Sequence, residues 1–105
     1  MTFRVVVDPE ANADLQRLYQ YLLDRCEYIE DLEVADRALQ AIDEAMAALA
    51  KVPFLFRREA RSRTPLRREL VVPFGASGYV LKYEIASPTL VVVLAVRHQH
   101  EADYH

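Results

Sequence analysis

The nine residues Val96-Arg97-His98-Gln99-His100-Glu101-Ala102-Asp103-Tyr104 bring a guanidinium, two imidazoles and a phenol together directly after the apolar run Leu90 to Val96. A strand that closes on such groups delivers polar chemistry to the rim of a sheet, and core packing gives no reason to place them there. His98 and His100 share one face for as long as the strand lasts. Imidazole exchanges protons near neutrality, so both are candidates for acid–base work, with Tyr104 as an orienting or proton-transfer group. Arg61, Arg63, Arg67, Arg68, Lys82 and Arg97 are the candidates for holding an anion or an acidic partner. Arginine predominates over lysine, and its planar fork matches phosphate and carboxylate.

Each of these residues also has a purely structural reading. Arg68 can pair with a carboxylate on a helix, and His98 can be a half-buried strand residue bonded to a backbone carbonyl. Tyr79 and Tyr83, four apart on one strand face, read as core or rim packing. His98, His100, Glu101 and His105 are bunched at one chain end without a second cluster, so no metal site is expected, and no cofactor either. Cys26 reads as small core filler, and as a lone cysteine it fits a reducing, cytoplasmic setting.

The elements that must position these groups follow from the pattern. The chain has 105 residues, 52% hydrophobic and 28% charged, which bounds it to one domain over residues 1–105. No run is long enough to cross a bilayer, and no leader peptide is evident at the N-terminus. The net charge of −3 conceals a division: residues 1–50 carry 4 basic against 11 acidic side chains, residues 51–105 carry 9 against 5. Arg57, Arg58, Arg61, Arg63, Arg67 and Arg68 crowd into twelve residues with only Glu59 among them. A basic face of this kind suits an anionic partner, and the plainer alternative is a solvated loop that keeps the protein soluble.

Phe3 to Val7 reads as a first strand, ended by Asp8-Pro9, which cap and open a helix running to about Cys26. After a polar break at Glu27 to Asp31, a second helix shows Ala35, Ala38, Leu39, Ile42, Ala45, Met46 and Leu49 on one face, and Pro53 ends it. Leu66 to Pro73, Gly78 to Ile85 and Leu90 to Val96 read as strands separated by Gly75-Ala76-Ser77-Gly78 and Ser87-Pro88-Thr89. Residues 54–65 are loop or a short extra strand. The expected fold is α+β, ordered β-α-α-β-β-β, with a helical hairpin packed on a mainly antiparallel four-stranded sheet.

That order, with Asp8-Pro9-Glu10-Ala11 opening the first helix, Arg68-Glu69-Leu70, Gly78-Tyr79-Val80-Leu81-Lys82-Tyr83 and the closing Val96-to-Glu101 stretch with Tyr104, resembles the RelE/ParE toxins of bacterial toxin–antitoxin pairs. The resemblance implies a toxin neutralised by a cognate antitoxin that wraps around it. It implies one of two targets: DNA gyrase, poisoned by ParE-like members, or messenger RNA on the ribosome, cut by RelE-like members. RNA cleavage needs a base for the 2′-hydroxyl, an acid for the leaving 5′-oxygen and cations for the transition state. His98, His100 and Tyr104 would fill the first two roles. Two guanidiniums usual in RelE-like nucleases are replaced here, by His100 and by Val80, which weakens charge stabilisation of phosphoryl transfer. Gyrase poisoning is therefore the expected activity, with ribonuclease action or a harmless regulatory role as the alternatives.

Overall fold

The computed structural model describes residues 2–99. In chain order it contains β1 (Arg4–Val7), α1 (Pro9–Asp24), α2 (Glu30–Leu49), β2 (Arg57–Arg58), β3 (Arg67–Phe74), β4 (Ser77–Ser87) and β5 (Leu90–His98). The expected helical hairpin and antiparallel meander are present, and the sheet gains a fifth, two-residue strand at its edge. That strand forms because Arg57 and Arg58 pair with Glu69 and Arg68 of β3. The order across the sheet is β1-β5-β4-β3-β2, antiparallel except for the β1–β5 pair.

Local chemistry explains where the elements begin and end. The Asp8 carboxylate accepts the Glu10 N–H at 3.0 Å and Pro9 opens α1, so one donor is capped and another is absent by composition. Helix α1 stops at Asp24, two residues before the expected end. Asp31 then reaches back to accept the N–H groups of Glu27 and Tyr28 at 2.9 and 3.0 Å, and these bonds hold its carboxyl below the usual carboxylate range. Helix α2 also ends earlier than expected. It closes at Leu49 through bonds from Ala50, Lys51 and Val52 back to Ala47 and Ala48, so Pro53 follows the stop rather than causing it. Pro53 is buried, and its carbonyl receives the Tyr83 hydroxyl at 2.5 Å.

The hairpin β3–β4 turns on Gly75 at φ 61°, a conformation that favours glycine. Gly78 is required for a different reason: a Cβ there would lie 2.2 Å from the Val72 carbonyl oxygen across the hairpin. One sheet face carries Val72, Tyr79, Leu81, Tyr83, Ile85, Val91 and Val93 against Ala11, Ala38, Ile42 and Leu49 of the helices. Tyr79 and Tyr83 thus belong to the core, and burial pushes the Tyr83 phenol up to about 12 against a smaller opposing pull from Arg68. Among the described residues no helix is long and apolar enough to cross a membrane.

Candidate functional site

Strand β5 decides what the C-terminal groups face. Its first half, Leu90 to Val93, lies between β1 and β4, and the Asp8 N–H closes the last β1 bond on the Val93 carbonyl at 2.9 Å. There β1 ends and β5 continues with one bare edge. At that point Tyr83 pairs with Val93 but Lys82 with Ala95, so Leu94 is an extra residue and the strand bulges. The bulge shifts the alternation by one: Val91 and Val93 face the helices, then Val96 and His98 do. Without it, Ala95 and Arg97 would take those places.

Asp14 holds this irregularity. Its side chain is only 6% exposed, and its Oδ2 accepts the Val96 N–H at 3.0 Å. That donor lies on the edge which a longer β1 would have covered. Its Oδ1 pairs with Arg17 one helical turn on, and Arg97 comes around the strand edge to 4.0 Å from the same oxygen. A buried carboxylate is costly unless bonded and paired, and Asp14 has both kinds of partner.

Above it opens a cleft of about 300 Å³, lined by Asp14, Arg17, Leu18, Tyr21, Val96, Arg97 and His98. His98 stands edge-on to Tyr79, ring centroids 5.8 Å apart, and its Nε2 shares a hydrogen bond with the Ser77 hydroxyl at 2.9 Å. Burial and the neighbouring Tyr21 raise the Tyr79 phenol above its ordinary value. The cleft combines two guanidiniums sharing one carboxylate, an imidazole and an aromatic wall. Such a set suits binding an acidic or hydrogen-bonding group at the strand edge.

The other expected site residues lie apart from this cleft. On the sheet face away from the helices, Glu69 takes Arg57 at 2.8 Å and Lys82 at 3.8 Å, while Glu84 takes Arg67 at 3.3 Å. These cations are matched by carboxylates of the sheet itself. Arg68 does not reach a helix carboxylate. Its guanidinium donates to the carbonyls of Pro65, Phe54 and Phe56 at 2.8–3.0 Å and lies over the Phe54 ring. Arg61 and Arg63 are exposed in the connection between β2 and β3. His100 and Tyr104 lie outside the described residues. Of the expected groups among the described residues, the structure brings Arg97 and His98 into the cleft.

Asp14, Arg17, Tyr21 and Ser77 were not legible as site residues. Asp14 left a faint mark, a carboxylate three residues after Ala11 and four before Leu18, on the helical stripe that should be apolar.

The profile of the family described as ParE toxin of type II toxin–antitoxin system, parDE, matches residues 5–103. This chain belongs to that toxin family. Toxin RelE3 of Caulobacter vibrioides is 38% identical over 97 residues, covering 92% of this chain and 95% of the relative. Toxin RelE1 of the same organism is 33% identical over 92 residues, with coverage of 88% and 89%. Among solved structures, the chromosomal ParDE system from P. aeruginosa superposes with a TM-score of 0.67 at 18% identity, covering 92% of this chain and 96% of the other. At that identity the likeness speaks for the fold alone. The ParE-family toxin described here is thus a toxin of a type II toxin–antitoxin system, and membership implies a cognate antitoxin as partner.

Proposed function

We propose that this toxin stops growth in the ParE manner, by binding DNA gyrase in the cytoplasm, and that it breaks no bond itself. One observation carries the reading. Phosphoryl transfer needs cations free to meet the transition state. Here Arg57, Arg67 and Lys82 face sheet carboxylates, Arg68 is committed to three backbone carbonyls, and the exposed Arg58, Arg61 and Arg63 belong to β2 and its connection, with β4 and β3 between that edge and the strand of His98. What the cleft offers is recognition: Arg17 and Arg97 around Asp14, with Tyr21 and His98 beside them.

The antitoxin's place is the apolar groove of about 390 Å³ between α2 and β3, floored by Ala41, Ala45 and Ala48 and walled by Phe56, Leu70 and Val72. Small residues on the helix allow close approach of an amphipathic segment. Salt then weakens the complex only in part, because apolar anchors persist when charges are screened. Complete dissociation at about 1 M salt would argue against this groove.

A ribosome-dependent ribonuclease is the second reading, favoured by the His98–Tyr79 pair next to Arg97 and by the RelE names of the two relatives. Inducing the chain without antitoxin tests toxicity first: unimpaired growth leaves only a regulatory role. Purified toxin is then added to gyrase supercoiling reactions and, in parallel, to translating ribosomes read by primer extension. Loss of supercoiling with intact message supports gyrase. Cut message with unaffected supercoiling replaces this reading with the nuclease.

A further inference from the structure

The division of charge along the sequence becomes a division along the molecule. Helix α1 continues the direction of β1, with Asp14 beside Val96 and Tyr21 beside the cleft at His98. Helix α2 then returns the chain to Ala50, whose carbonyl accepts the Phe3 N–H at the start of β1. The turn between the helices and the connection after α2 therefore lie beyond opposite ends of α2. They are separated by α2 itself, about 30 Å for its length.

At the first end Tyr28, Ile29 and Leu32 are 70%, 78% and 42% exposed. The Asp31 carboxylate pins the turn that displays them, so their presentation costs little further ordering. Asp24, Glu27, Glu30 and Glu33 surround them, and the nearby Arg25 guanidinium lies over the Tyr21 ring. At the other end Phe54 and Leu55 are 53% and 72% exposed on a connection held by the three Arg68 bonds. Arg58, Arg61 and Arg63 project there and make no ion pair among the described residues. Each end is apolar at its centre, fixed in shape, and of opposite charge to the other.

We infer that the acidic helical turn of one copy seats on the arginine-bearing connection of a second copy, head to tail. Pairing like ends would oppose like charges, and because the two patches lie beyond opposite ends of α2, an end-on contact engages one of each, so it is heterologous and adds copies in a row. The acidic turn repels nucleic acid and anionic membrane and is complementary to a protein surface of basic and apolar character, and this chain carries one at its other end. Both patches are small, so the association is weak and rests on charge as much as on burial.

The test is sedimentation equilibrium of the purified full-length toxin across the micromolar range. Its average mass should rise with concentration in low salt and return to the monomer by about 0.5 M salt, where the Debye length is about 4 Å. Two double variants, Ile29→Lys with Leu32→Lys and Arg61→Glu with Arg63→Glu, change exposed side chains only. Each should keep its circular dichroism and stay monomeric alone. Mixed together they should form a one-to-one pair and nothing larger, since each retains one competent end. A wild-type toxin that is monomeric throughout, a variant that associates like wild type, or a mixture that does not pair would each overturn the inference.

Discussion

The two halves of β5 share one strand but meet opposite surroundings. Leu90 to Val93 has a strand on either side, and Val91 and Val93 are fully buried against the helices. Leu94 to His98 has a strand on one side only, a bulge at its start and a carboxylate in place of the missing neighbour. The first half is interchangeable β-branched filling. The second half is specified atom by atom, because an exposed strand edge must satisfy each donor individually. The cleft exists where β1 stops short.

The largest effect should come from damaging the filled half. Val93→Asp buries an unpaired charge and should cost more than about 4 kcal/mol, unfolding the domain in urea titrations. Asp14→Ala should be the heaviest loss in the open half, about 1–3 kcal/mol, because it strands the Val96 N–H. Hydrogen exchange at Val96 should accelerate well beyond that at Val91. Asp14→Asn, which keeps an acceptor, should restore part of the protection. Equal exchange at the two sites would erase the distinction between the halves.

Tyr83, which pairs with Val93 just before the β5 bulge, tests the junction. Tyr83→Phe removes its bond to the Pro53 carbonyl and should cost about 1 kcal/mol. Its phenol is raised to about 12 in the folded protein, so that contribution is fully present below the ordinary tyrosine value near 10 and fades as pH rises toward 12. Ultraviolet titration should show a late-ionising phenol that the variant lacks. The smallest effect on stability is expected at the rim. Arg97 is 47% exposed and 4.0 Å from Asp14, so Arg97→Ala should change stability by less than about 0.5 kcal/mol. Toxicity on induction should nevertheless fall, which separates recognition from folding. Full toxicity of that variant would remove Arg97 from the binding surface.

Local chemistry in the chain determined a great deal. Asp8-Pro9 capped α1 as expected, helical spacing placed the two hairpin helices, and the three long strands fell within a residue or two of their expected bounds. The order of those elements, taken together with the residues at the helix start and the strand ends, pointed to the toxin family. Pattern could not supply whatever depends on partners distant in sequence. Arg57 and Arg58 become a strand only because β3 offers an edge, and Arg68 serves a loop because Phe54 and Pro65 fold over it. The alternation that puts His98 toward the cleft reverses at a bulge anchored by Asp14, which lies 82 residues before the Val96 N–H it accepts. Hydrophobic period and capping are properties of neighbours along the chain and can be read there. Which edge lies open, and which carboxylate meets it, is decided when helix and sheet pack together.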